Sequence, residues 1–165
     1  MKYLEIKESD YKLIKEVSEL ASKIVKEHYD PIVGEVQNDY MIKKFQSASS
    51  IKEQLSQNYR YFFVLNEEGK RVGFIAFYPR EKDLYLSKFY LEKNERGKGM
   101  AKNMFAFVKN EARKSGFSSI VLNVNKYNAI AIRAYEKLGM GKIAEEKIDI
   151  GRGYYMDDYV YQFVI

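Results

Sequence analysis

"LYLSKFYLEKNERGKGMAKNMFAFVKNEARKSGFSSIVLNV", residues 84–124, is the stretch on which the fold turns. It begins with an apolar run rich in Leu, Tyr and Phe, which reads as a strand. "KNMFAFVKNEARKSG" follows as an amphipathic helix and "SSIVLNV" as a second strand. Between the first strand and the helix sit Arg96, Gly97, Lys98 and Gly99. Two glycines at the mouth of a helix cost backbone entropy, so they serve a special backbone conformation or the close approach of a ligand. A helix N-terminus carries unpaired N–H groups and the positive end of the helix dipole. With Arg96 and Lys98 at the rim, the turn reads as an anion site, and the plain alternative is a turn that only redirects the chain.

Working outward, "KYLEI" alternates as a first strand. "SDYKLIKEVSELASKIVKEHY" carries Leu13, Val17, Leu20 and Ile24 at helical spacing, with Ser9 or Asp10 as N-cap and a break at "DPIVG". "EVQNDYMIKKFQ" and "SIKEQLSQ" read as two short helices. "YRYFFVLN" and "RVGFIAFYP" flank a Gly-containing turn and form a hairpin. After residue 124 come a helix, "NAIAIRAYEKLG", ended by Gly139, and a last hairpin, "GKIAEEKIDI" with "YYMDDYVYQFVI". The order β-α-α-α-β-β-β-α-β-α-β-β places one crossover among antiparallel hairpins. It predicts an α/β fold: a mixed, mostly antiparallel sheet with helices on both faces. No repeat or internal boundary shows, so residues 1–165 are expected to form a single domain.

Composition narrows the chemistry. With no cysteine there is no disulfide framework, no Cys-based zinc site and no Cys nucleophile. His28 is the lone histidine, which rules out a multi-histidine metal centre; no metal is expected. "MKYLEIKESDYK" lacks the apolar stretch of a signal peptide, and no apolar run is long enough to span a membrane, so a cytoplasmic protein without membrane attachment is expected. The net charge is +5, but Lys and Arg are scattered among acids with no reader motif, so nucleic acid is not an expected partner.

The turn fits neither the Walker pattern, since Gly97 and Gly99 are too close and no Lys-Ser/Thr follows, nor the dinucleotide fingerprint, since Lys102 stands where the third Gly belongs. "RGKGMA" does match [QR]-x-x-G-x-[GA] through Arg96, Gly99 and Ala101. "NKYNAIAIRAYEKLGM" matches N-x-x-A-x-x-x-Y-x-x-x-G-[FM] through Asn128, Ala131, Tyr135, Gly139 and Met140. In this order, with a strand between, the two motifs resemble the GCN5-related N-acetyltransferases over roughly residues 59–165.

That resemblance implies acetyl-CoA as co-substrate. Backbone N–H groups of Arg96, Gly97, Lys98, Gly99, Met100, Ala101 and Lys102 would hold its pyrophosphate. Phe89, Tyr90 and Leu91 would pair their backbone with the pantetheine arm, in a V between "SKFYL" and "SIVLNV". Asn128 would hydrogen-bond the arm, and Tyr135 would protonate the departing thiolate. A tyrosine is protonated at neutral pH and can donate, although Tyr135 also reads as an amphipathic core aromatic. Without cysteine, direct attack by an amine is favoured over an acyl-enzyme.

An amine of pKa near 10.4 is only about 0.04% neutral at pH 7, a deficit of roughly 4–5 kcal/mol, so a base is wanted. Many members of the family carry a Glu on the strand before the signature, near Ser87, but "LYLSKFYL" holds no carboxylate. Ser87 could position a water. His28 and Glu35, flanking the expected loop "YDPIVG" and more often the kind of residue found simply at a surface, and Asp157, in "YYMDDYVYQ" beside Asp158 and equally readable as a surface group, are the other acceptor-site candidates. The whole resembles bacterial small-molecule members, including polyamine acetyltransferases, which implies a small-molecule amine as partner. The aromatic final strand is expected to offer a homodimer edge.

Overall fold

The computed structural model describes residues 1–165. Seven strands hydrogen-bond in the order β1-β2-β3-β4-β5-β7-β6, a mixed and mostly antiparallel sheet flanked by helices. The strands are β1 (Lys2–Ile6), β2 (Arg60–Leu65), β3 (Arg71–Pro79), β4 (Leu84–Leu91), β5 (Ser119–Asn125), β6 (Gly141–Gly151) and β7 (Tyr154–Val164). The helices are α1 (Tyr11–Val33), α2 (Glu35–Phe45), α3 (Ala48–Ser56), α4 (Met100–Lys114) and α5 (Ala129–Lys137). The element order is the one expected from the sequence. No helix is long and apolar enough to cross a membrane.

The chain divides into two compact units, residues 1–78 with 88–100, and residues 79–87 with 101–165. In the first, β1, β2 and β3 pair antiparallel. Alternation turns Tyr61, Phe63, Phe74 and Ala76 to one face, where Ile14, Val17, Ala21 and Ile24 of α1 and Ile51 of α3 bury against them. Burial of this apolar surface, worth about 25 cal/mol per Å², stabilises the unit. Gly73 is a fixed requirement of the packing, because a Cβ there would run into the backbone of Tyr90 and Leu91.

The second unit is built on β5, β7 and β6, paired antiparallel. β4 joins β5 in parallel through Leu84↔Ile120 and Tyr85↔Val121. Because facing residues share a side, Tyr161 and Phe163 lie on one face of β7, which α4 and α5 cover: Phe105 meets Phe163 edge-on at 5.3 Å, and the Tyr161 hydroxyl donates to Glu136 Oε2 at 3.3 Å. Asn123, Asn125, Asp158, Val160 and Glu146 share the opposite face.

Two expectations are corrected. α1 does not break at "DPIVG": it runs through Pro31 and ends only at Gly34, whose N–H bonds the Asp30 carbonyl at 3.0 Å. The proline lies in the last turn, where its missing N–H forfeits one bond rather than a ladder. The final strand is also not an edge. β7 spends its hydrogen bonds on β5 and β6, and β6 is the outer strand, exposed from Gly141 to Asp149. At the start of α1, Asp10 takes the N-cap position, yet its carboxylate accepts from the Lys7 N–H at 2.9 Å rather than from the helix.

Candidate active site

β4 ends at buried Leu91, a single 3₁₀ turn follows over Lys93–Glu95, and α4 opens at Met100. The Arg96 guanidinium folds back, donating from Nε and Nη2 to the Leu91 carbonyl at 3.2 and 3.1 Å. Its charge is therefore fixed at the end of β4. Gly97 and Gly99 both have φ 78°, the left-handed region, and a Cβ on either would meet nothing within 4 Å. Glycine is required here by backbone conformation, not by crowding. The N–H groups of Gly97, Lys98, Gly99 and Met100 donate to no carbonyl of the chain. They form a run of free donors at the positive end of a 15-residue helix, suited to an anion with several oxygens. Lys98 is exposed and lies 3.7 Å from Glu95; Ala101 and Lys102 begin the first turn of α4.

Phe89 and Tyr90 are half-buried near the end of β4, with Tyr90 stacked on Phe74 at 5.2 Å. Asn128 is buried and caps α5, its Oδ1 accepting from the Ala131 N–H at 3.3 Å. The second motif thus has a local structural use in addition to any contact with a ligand. Tyr135, half-buried, sits in the last turn of α5, and the Met140 N–H bonds its carbonyl at 3.1 Å.

Of the four acceptor-site candidates, His28 and Glu35 belong to the first unit and Ser87 and Asp157 to the second. His28 lies within α1, edge-on to Tyr29 at 4.9 Å. Glu35 begins α2, is 72% exposed and pairs with Lys26 at 3.6 Å, so it belongs to a surface ion network with Asp30 and Asp39. Asp157 is held by Lys126 at 3.1 Å, which Glu145 shares. Ser87 is half-buried on β4, two residues after Tyr85 and therefore on the same face.

Two charged groups are buried: Asp158, which the sequence offered only as half of a carboxylate pair, and Lys88, which it did not single out. Asp158, 1% exposed, is pushed up to about 6 by burial and by the nearby negative charge of Glu146 and Asp157, against a bond from Asn123 that favours the anion. The pairing of "DD" was visible in the sequence; which of the two acids turns inward depends on strand register. Lys88, 5% exposed, donates to the Phe45 carbonyl at 2.6 Å and Gln54 Oε1 at 3.1 Å and lies 5.1 Å from the Tyr61 ring. Burial pushes its amine down to about 7. No three acidic or imidazole side chains converge as metal ligands.

The acetyltransferase (GNAT) family model matches residues 23–140, most of the chain and all of the turn and the α5 motif. The chain belongs to the GNAT family. Among curated relatives, this GNAT chain is 28% identical over 88 residues to YdgE, an uncharacterized N-acetyltransferase of Bacillus subtilis, covering 51% of the chain and 56% of that protein. It is 32% identical over 100 residues to human N-acetyltransferase 8B, covering 57% of the chain and 44% of the relative. The chain thus spans about half the length of these curated relatives. Among solved structures, the PaiA N-acetyltransferase of Thermoplasma acidophilum in complex with coenzyme A superimposes over the whole of both chains with TM-score 0.77 at 17% identity. A chimera of the spermidine N-acetyltransferase SpeG from Vibrio cholerae and hSSAT matches 99% of the chain and 96% of its own length, TM-score 0.68, 14% identity. At these identities the GNAT likeness is one of fold.

Proposed function

We propose that this GNAT chain, acting as one acetyltransferase domain over residues 1–165 in the cytoplasm, transfers acetyl from acetyl-CoA directly to a primary amine of a small molecule, a polyamine being the leading acceptor. The observation that carries the proposal is the run of undonated N–H groups at Gly97, Lys98, Gly99 and Met100, held open by two left-handed glycines at the start of α4. Backbone donors in a row suit a diphosphate, whose oxygens outnumber those of a carboxylate. Arg96, Ala101 and Lys102 complete the cradle, and the backbone of Phe89, Tyr90 and Leu91 offers the extended edge for an amide-bearing arm. Coenzyme A bound to the Thermoplasma relative supports this choice of ligand.

Acetyl-CoA supplies the activated acetyl group as a thioester. The chain's own part is to orient it, to take a proton from the incoming amine and to give one to the outgoing sulfur. Tyr135 carries the proton to be given, since phenols titrate near 10 and hold their proton at neutral pH. Asn128 shapes the start of the helix that bears Tyr135. With no cysteine, the chain has no thiol to carry acetyl, which favours direct transfer. The spermidine acetyltransferase chimera among the structural matches supports a polyamine.

A second reading rests on β4, which contains no carboxylate between Leu84 and Leu91. It makes the chain an acyl-CoA-binding module without turnover. One assay separates the two: release of free thiol from acetyl-CoA across polyamines, amino acids, aminoglycosides and lysine peptides. Thiol release with one acceptor class is expected; tight acetyl-CoA binding with no release from any of them would favour the binding module.

A further inference from the structure

Asn123, on β5, is the hub of a polar cluster within the second unit. Its Oδ1 accepts from the Tyr85 hydroxyl of β4 at 2.9 Å. Its Nδ2 donates to Glu146 Oε2 of β6 at 2.9 Å and to Asp158 Oδ2 of β7 at 3.3 Å. Four neighbouring strands therefore converge on one amide, and the hydroxyl fixes which end of that amide faces the acids.

The two carboxylates stand directly opposite each other, Glu146↔Asp158, on one face of the sheet. Like charges in that position destabilise a strand pair, and a buried carboxylate destabilises it further. Neither acid lies within ion-pair distance of a lysine or arginine. The contrast is in the same hairpin: on the other face, Lys126 bridges Glu145 and Asp157 at 3.1 Å each. The fold neutralises one pair of acids and leaves the other open. A single shared amide is a weak return for two carboxylates, so the cluster is arranged for a cation that the chain itself does not supply. Glu146 is exposed and Asp158 is not, which gives the arrangement an outer charge to collect a cation and an inner one to act on it.

We infer that Asp158 is the general base of the acetyl transfer and that Glu146 and Asp158 together receive the ammonium of a cationic amine acceptor. The inference rests on the acetyltransferase reading above and names the base that β4 lacks. Tyr85 and Ser87 share a face of β4, so the Tyr85–Asn123 bond ties the cluster to the face of β4 that carries Ser87. In the step, the ammonium gives its proton to Asp158 directly or through one water. The freed nitrogen lone pair attacks the thioester carbonyl carbon, the C–N bond forms and the C–S bond breaks. The departing sulfur takes the electron pair and the proton of Tyr135. The second proton of the acylated nitrogen returns the phenol to its starting state, and the proton on Asp158 passes to solvent. The elevated pKa of Asp158, about 6, narrows the gap to the amine and makes it a better acceptor than an ordinary carboxylate. The titratable groups around it are Glu146 on β6, Tyr85 on β4 through Asn123, and the adjacent Asp157, whose own carboxylate Lys126 holds.

The test follows thiol release by the full chain with acetyl-CoA and spermidine, or with whichever panel amine is turned over if spermidine is not, from pH 5 to 10. Wild type is expected to show a rising limb in kcat/KM with an apparent pKa near 6. Asp158→Asn should lower kcat/KM by about 100- to 1,000-fold at pH 7, with acetyl-CoA affinity within about twofold, and the deficit should shrink above about pH 9 as the amine loses its proton unaided. Glu146→Gln should raise KM for the amine several-fold, leave plateau kcat near wild type and move the limb to lower pH, since one repelling charge is gone. An Asp158→Asn enzyme within about threefold of wild type and with the same limb would overturn the assignment. Should that variant fail to fold, an unmoved limb and KM in Glu146→Gln overturns it instead. Wild type that binds acetyl-CoA but acetylates no amine in the panel defeats the acetyltransferase reading itself, and this inference with it; an active wild type with indifferent variants removes Asp158 alone.

Discussion

Replacing Lys88 by Met tests the account of the first unit most severely, because its sign should change with pH. The Lys88 amine is enclosed by the Phe45 carbonyl, Gln54 and the Tyr61 ring, with no carboxylate in ion-pair range. A neutral amine has two N–H groups, enough for the two carbonyl oxygens present. Burial takes the group from its ordinary 10.5 down to about 7 in the fold. Between those values the unfolded chain binds more protons than the folded one, so Lys88 makes stability rise with pH across the window. Relative to an uncharged side chain, it costs the fold about 4 kcal/mol at pH 7 and about 1 kcal/mol at pH 9.5. Methionine, unbranched and of similar length, fills the space but gives up two hydrogen bonds worth about 1 kcal/mol each. Lys88→Met should therefore be more stable than wild type by about 2 kcal/mol at pH 7, equal near pH 9 and less stable beyond it. Urea unfolding of both proteins at pH 7, 8, 9 and 9.5 gives the difference, in which all other titrating groups cancel. A difference that stays flat over this range, or a variant that is weaker throughout, would show that Lys88 remains an ordinary charged lysine and would refute the reasoning.

Three further substitutions probe the site. Gly99→Ala places a Cβ at φ 78° with open space around it, so about 1–2 kcal/mol of strain is expected without a clash, together with weaker acetyl-CoA binding measured by calorimetry. Gly73→Ala drives a methyl group into the Tyr90 carbonyl and should cost more than about 2 kcal/mol in urea unfolding; a loss below about 0.5 kcal/mol, on the scale of an ordinary surface change, would contradict the close approach of β3 and β4. Tyr135→Phe should lower kcat with acetyl-CoA affinity near wild type, and unchanged turnover would take Tyr135 out of the mechanism.

Local chemistry made much of this protein legible from the chain alone. The periodicity of Leu13, Val17, Leu20 and Ile24 announced α1, the Phe- and Tyr-rich runs announced the central strands, and the order of elements followed. Gly97 and Gly99 adopt a left-handed backbone, the special conformation that was one of the two uses their place before a helix suggested, and the Asn128 motif opens α5 as a cap. Each of these is decided within a few residues, by backbone sterics or by a side chain bonding its own turn.

What the tertiary structure decided depends on partners distant in sequence. Pro31 stays inside α1 because it lies in the last turn of a helix whose buried face, Ile14 to Val25, is already packed, so only one hydrogen bond is lost there. β7 became an interior strand because β6 pairs outside it, which no reading of "YYMDDYVYQFVI" alone could reveal. Asp157 and Asp158 are chemically identical neighbours, and only the register against Lys147 and Glu146 sends one to Lys126 at the surface and the other inward to Asn123. Lys88, the one charged residue of its strand, lost its solvent only when α2 and α3 closed over it. Burial and register are properties of assembled strands and helices, and they set charge and reactivity where the local sequence is silent.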